Sequence, residues 1–179
     1  MKKLFIAFFC ITTGLSAQLK TSVQVDEMEG TKTIRTEQVQ FKNDGAKIQM
    51  AMSYTKELYV IALDFYERGV GNGCFSQYEG LIKIKLEDGT VLDFKQISDT
   101  ECGDYGIVLY FPASANDLSD PNLKDVMNDN INKLSQYNWE LIRIYKTEYY
   151  IELKPEPWRK NNSPQTFFKD AISSINSEL

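Results

Sequence analysis

Histidine is absent from all 179 residues. That excludes every catalytic system that needs an imidazole base, every histidine metal site and any imidazole pH switch. Cysteine is scarce, with three residues, and proline is limited to five. Positive charge is also in short supply: 20 Lys and Arg stand against 25 Asp and Glu, a formal charge of −5. No cluster of Lys and Arg offsets that balance, so phosphate backbones are repelled and nucleic acid is not an expected partner. No apolar run approaches the about 20 residues needed to cross a bilayer as a helix. What is present is 42% hydrophobic and 12% aromatic residues, the composition of one globular domain.

The N-terminus reads as an export signal. Lys2 and Lys3 precede an uncharged apolar stretch from Leu4 to Ile11. The small-residue ending Leu15-Ser16-Ala17 predicts cleavage before Gln18, leaving residues 18–179 as a single domain. A lipid anchor on Cys10 is not expected, because Phe9 occupies a position where a small residue is required. The expected location is the periplasm or the cell exterior. Loss of Lys2 and Lys3 makes the mature chain more acidic still.

Two cysteines then remain, Cys74 and Cys102, both in turn-like contexts rich in glycine. An oxidising compartment favours a disulfide between them. Closing a loop of that length would stabilise the fold by roughly 3–4 kcal/mol in the chain-entropy model. Free buried thiols and a catalytic thiolate are the competing readings, the latter without a histidine to activate it.

From Leu19 to Leu153 the dominant hydrophobic period is two, the signature of strands. A four-residue loop from Asn43 to Ala46 pairs Phe41 with Ile48 and Val39 with Met50, which places both apolar rows on one face. Leu58 to Phe65 is apolar at nearly every position and predicts a strand covered on both faces. A two-residue Asp88-Gly89 turn would oppose Ile84 to Asp93 and mix the faces. A three-residue loop, Glu87-Asp88-Gly89, instead opposes Ile84 to Leu92, Ile82 to Phe94 and Lys83 to Asp93, with Gly89 in the left-handed bulge position. A strand over Tyr105–Phe111 stops at Pro112.

Asp120-Pro121 predicts a helix start, followed by the stripe Leu123, Val126, Met127, Ile131 and Leu134. In a further hairpin, Ile142 and Ile144 face Tyr149 and Ile151 across a tight turn near Lys146-Thr147. Ser163-Pro164 repeats the capping device before a final stripe of Phe168, Ala171, Ile172, Ile175 and Leu179. The expected class is α+β: a mainly antiparallel sheet, curled or folded into a sandwich, with one internal and one C-terminal helix. Strands followed by a C-terminal helix resemble the pleckstrin-homology-like architecture, a likeness of fold that carries no function.

Candidate chemistry is sparse. Asp99, Glu101 and Asp104 lie close in sequence but do not match the spacing of a calcium loop, and a solvated turn is the simpler reading. Asp117, Asp120, Asp125 and Asp129 are explained by helix capping and one exposed helix face. Gly69-Val70-Gly71-Asn72-Gly73 lacks the helix a dinucleotide loop requires, so no cofactor is expected. Among the late aromatics Tyr137, Trp139, Tyr145, Tyr149, Tyr150 and Trp158, three are candidate binding residues. Trp158 follows two prolines in Pro155-Glu156-Pro157-Trp158-Arg159, outside regular structure, either as an exposed anchor or as a plug under the last helix. Tyr145 and Tyr150 fall on the opposite face of their hairpin from Ile144 and Ile151. Asn161-Asn162-Ser163 fits a glycosylation sequon.

From Gly80 onward the chain resembles a class of small exported proteins of Gram-negative bacteria. The matching elements are the hairpin at Glu87-Asp88-Gly89-Thr90, the Cys102-Gly103-Asp104-Tyr105 turn, the helix after Asp120, Leu141-Ile142-Arg143-Ile144 and the last helix with Phe167-Phe168. The resemblance implies export and a shared fold, and brings no functional residues. With no nucleophile–base pair, metal constellation or cofactor motif in view, the expected function is a non-enzymatic module binding a protein or an envelope glycan. A carboxylate-dependent hydrolase of envelope material is the alternative.

Overall fold

The computed structural model describes residues 19–41, 43, 46–67, 73–114, 121–156 and 164–179. Ten strands form one antiparallel sheet: β1 (Thr21–Asp26), β2 (Thr31–Thr36), β3 (Val39–Phe41), β4 (Ala46–Thr55), β5 (Leu58–Glu67), β6 (Leu81–Leu86), β7 (Val91–Gln96), β8 (Tyr105–Phe111), β9 (Trp139–Tyr145) and β10 (Tyr150–Leu153). Among the described residues the α-helices are α1 (Leu123–Gln136) and α2 (Phe167–Asn176). The order across the sheet is β1-β2-β4-β5-β8-β7-β6-β9-β10, with β3 paired to β4 beyond the end of β2. The architecture is therefore α+β, and the sheet is one curled layer that does not close.

The curl follows from where the large inner side chains meet. Phe41 on β3 and Trp139 on β9 lie far apart in the strand order, yet their ring centroids are 5.6 Å apart. Phe167 at the start of α2 packs edge-on to Phe41 at 5.4 Å. The Trp139 indole N–H donates to the Pro164 carbonyl, giving its one polar atom a buried partner. The β10 edge approaches the β3–β4 connection, where the Asn43 side chain donates to the Glu152 carbonyl at 3.2 Å. Phe168, Ala171, Ile172 and Ile175 of α2 fill the mouth of the curl, and α1 packs against α2. Removing a fully enclosed ring such as Phe41 costs about 3–5 kcal/mol, because both the transfer energy and the cavity count.

Local sequence dictates several registers. Val39 opposes Met50 and Phe41 opposes Ile48. Ile84 opposes Leu92, Ile82 opposes Phe94 and Lys83 opposes Asp93, with Gly89 at φ +87°. The Lys83–Asp93 ion pair measures 3.1 Å on the outer face. In the β4–β5 hairpin, Lys56 (φ +47°) and Glu57 (φ +65°) form a two-residue left-handed turn without glycine.

Other expectations need correction. Leu58 to Phe65 is not enclosed on both faces. Tyr59, Ile61, Leu63 and Phe65 are buried, whereas Val60 and Asp64 are half-buried and Leu58 and Tyr66 are exposed. Only Ala62 is buried on the outer side, because it is short and flanked by neighbouring strands. Helix α1 begins at Leu123 after a turn at Pro121 and Asn122, and α2 begins at Phe167 after a 3-10 turn at Pro164–Thr166. In both places proline opens a turn that precedes the α-helix. Leu179 leaves its predicted stripe and is exposed, since α2 ends at Asn176. Tyr149 does not face Ile142: it closes the β9–β10 turn against Lys146, and Ile142 opposes Leu153.

Candidate functional site

The ends of β5 and β9, the segment before β6, the β7–β8 connection and the β9–β10 turn are tied into one loop cluster at one end of the curl. Cys74 and Cys102 are joined by a disulfide. Phe75 and Glu101 exchange both backbone hydrogen bonds, at 2.8 and 3.0 Å, beside the cross-link. The Glu67 amide donates to Asp104 O at 2.7 Å. The Thr147 amide donates to Cys74 O at 2.9 Å, and the Cys74 amide donates to Thr147 Oγ1 at 2.9 Å. Four separate stretches of chain therefore share a set of satisfied backbone groups.

Beneath the cross-link lies an ion pair. Lys146 Nζ is 2.7 Å from Glu67 Oε2, and the two side chains are only 2% and 7% exposed. The Tyr149 hydroxyl donates to the same Glu67 oxygen at 2.9 Å. The ammonium is further enclosed by the rings of Phe75, Tyr149 and Phe65, with centroids at 4.8, 5.0 and 5.7 Å. Facing ring quadrupoles stabilise a desolvated cation. Burial pulls the Lys146 ammonium down, but the hydrogen bonds it makes to Glu67 and Tyr149 outweigh it and hold the group above its ordinary value. Burial likewise raises the Tyr149 hydroxyl; Lys146 opposes that rise and Glu67 adds to it. Lys146 is thus a cation at neutral pH and has no free electron pair for nucleophilic attack.

Around this rigid base stand exposed tyrosines. Tyr66 and Tyr105 are direct partners across β5 and β8 and are 45% and 74% exposed. Tyr78, in the turn after Phe75, is 83% exposed, and Tyr150 is 50% exposed. Tyr145 and Tyr150 are direct partners on the outer face, with ring centroids 5.9 Å apart, and Tyr145 is half-buried. The Arg143 guanidinium lies 4.9 Å from the Tyr150 ring centre and its Nε is 2.7 Å from Glu152. Glu79, Asp99, Asp104 and Glu148 are exposed in the same loops, which gives the end an acidic character.

The remaining sequence candidates separate clearly. Trp139 is core and Tyr137 is half-buried. Asp125 and Asp129 lie on the exposed face of α1, where Asp129 pairs with Lys133 at 2.7 Å. Glu101 Oε1 accepts the Gly103 amide at 3.0 Å within its turn. Trp158, Asp117, Asp120 and the Asn161-Asn162-Ser163 sequon lie outside the described residues, as does the glycine-rich loop except for Gly73. Among the described residues, no three His, Cys, Asp or Glu side chains converge as metal ligands, and no helix is long and apolar enough to span a membrane.

Sequence reasoning missed Glu67 and Lys146. The available signal was a charge ending an otherwise apolar strand, Glu67 after Phe65-Tyr66, and a lysine between Tyr145 and Tyr149. Comparison with protein-family models, curated proteins and solved structures returns no match.

Proposed function

We propose that this protein is a non-enzymatic binding module acting in the periplasm or outside the cell, and that it engages its partner through the disulfide-pinned end of the sheet. The observation that carries this reading is the set of four exposed tyrosines, Tyr66, Tyr78, Tyr105 and Tyr150, on loops and strand ends held by a cross-link and a buried ion pair. Tyrosine offers a large flat surface with a polar tip and few rotatable bonds, so a rigidly held set loses little entropy on binding. The rings suit a protein surface or the faces of an envelope glycan, and the surrounding carboxylates favour a neutral or basic ligand over a polyanionic one.

The hydrolase reading is the weaker one. Glu67 is the one buried carboxylate among the described residues, and both Lys146 and Tyr149 already hold it. A glycosidase needs two carboxyl groups facing a cleft, one of them kept protonated.

The test is affinity capture from the native envelope with the wild-type protein and with the triple variant Tyr78→Ser, Tyr105→Ser, Tyr150→Ser, alongside binding to purified envelope glycan. The expected result is a partner or glycan retained by the wild type and lost by the variant, with thermal stability unchanged. Equal retention by both proteins would refute the assignment to this surface.

A further inference from the structure

We infer that β1 is a pairing edge for a second copy of this chain, joined about a two-fold axis through Val23. β1 ends the sheet order, and among the described residues nothing pairs its outer side. The opposite edge is treated differently: β10 is only four residues long and its Glu152 carbonyl is taken by the Asn43 side chain. An uncapped six-residue edge is a template for strand addition.

The hydrogen-bond phase fixes the register. The Glu37 amide donates to Lys20 O at 2.7 Å, and these residues lie in line with the β1–β2 register. Hydrogen-bonded pairs alternate along an antiparallel ladder, so Lys20, Ser22, Gln24 and Asp26 point their backbone groups toward β2. Thr21, Val23 and Val25 therefore direct theirs outward. A two-fold pairing must match outward groups with outward groups, and the centres that do so for at least two outward residues of each β1 are Ser22, Val23 and Gln24. The centre at Val23 sets Thr21 opposite the second copy's Val25 and uses all three outward residues of each strand.

That same register sets Lys20 opposite Asp26 of the second copy, twice by symmetry. The centre at Ser22 sets Lys20 opposite Gln24, and the centre at Gln24 sets it opposite Met28. Charge complementarity thus selects the register that the backbone already permits. The apolar residues agree. Val23 opposes the fully buried Ile34 and so shares its inner face, yet Val23 and Val25 are 43% and 61% exposed because β1 runs past the core. In the paired sheet the two Val23 side chains become neighbours on that face.

The test is sedimentation equilibrium of the mature full-length protein up to about 1 mM. The wild type is expected to show a reversible dimer. Val23→Pro removes an outward N–H without touching the β1–β2 ladder and should leave a folded monomer, checked by circular dichroism and thermal melting. Lys20→Glu places two carboxylates opposite each other and should weaken association about tenfold. For the register, Val23→Cys should cross-link two chains under mild oxidation whereas Val25→Cys should not. A wild type monomeric over the whole range, a dimer indifferent to Val23→Pro, or cross-linking through Val25→Cys in place of Val23→Cys would each overturn the proposal.

Discussion

Replacing Lys146 by methionine tests the physical core of the candidate site. The substitution preserves most of the side-chain volume and removes the charge that neutralises Glu67, a carboxylate whose side chain is 7% exposed. Among the described residues, Glu67 then keeps only the Tyr149 hydroxyl as a side-chain partner. Leaving a buried charge unpaired costs about 3–5 kcal/mol, a large share of the about 5–15 kcal/mol available to a domain. Glu67→Gln leaves the ammonium among Phe65, Phe75 and Tyr149, and cation–π attraction offsets up to about 2 kcal/mol of the loss. Its expected cost is therefore smaller, about 2–3 kcal/mol. The double variant Glu67→Leu, Lys146→Met exchanges both charges for apolar groups and should cost no more than about 1 kcal/mol. Urea denaturation with the disulfide intact gives all three values, provided that the denaturant slope is unchanged. The signature is a double variant more stable than either single one. Additive losses, or single losses below about 1 kcal/mol, would mean that the pair is solvated and does not hold the loops.

Further outcomes follow from neighbouring features. The Lys146 and Tyr149 groups both sit above their ordinary values in the folded protein, so their stabilisation is complete below the unfolded values of 10.5 and 10.0 and is lost as pH rises through the folded ones. Thermal melts should hold steady up to mildly alkaline pH and fall beyond it, less steeply in the Glu67→Leu, Lys146→Met variant. The residual fall includes Tyr149, Tyr59 and Tyr110, whose hydroxyls burial raises. Gly80→Ala should cost about 3 kcal/mol or more in the same urea assay, because a Cβ there overlaps Gln96 Oε1 and the Ser76 carbonyl. Reducing Cys74–Cys102, whose residues are 28 apart in sequence, should lower stability by about 3.5 kcal/mol, and a reduced protein as stable as the oxidised one would contradict that value.

The parts of this fold that the sequence reveals are those decided by neighbours in the chain. The registers at Phe41–Ile48 and Ile84–Leu92 follow from loop length and alternation alone, because any other loop turns an apolar residue toward water. The pairing of Cys74 with Cys102 follows from composition, since two cysteines remain once Cys10, in the segment expected to be an export signal, is set aside. The β5 reading failed because a run of apolar letters does not distinguish Ala62, covered by its neighbours, from Tyr66, which is not. The Glu67–Lys146 pair stayed hidden for a topological reason. Its members are 79 residues apart and each reads as a surface charge at a strand end. Only the curl that brings β5 and β9 to one end makes them partners, and curl is a sum of twists over many strands. The tyrosines were half legible: Tyr145 and Tyr150 fall on the outer face as alternation requires, whereas the role of Tyr66, Tyr78 and Tyr105 depends on which loops the disulfide gathers.

The most direct test of the central claim is site-specific photo-cross-linking in cells. A photoreactive residue at Tyr78 or Tyr105, on the disulfide-pinned end, is compared with one at Asp88, in the exposed β6–β7 turn at the far end. The account predicts a discrete adduct from Tyr78 and Tyr105 and none from Asp88. An adduct from Asp88 alone, or equal adducts from all three positions, would contradict it.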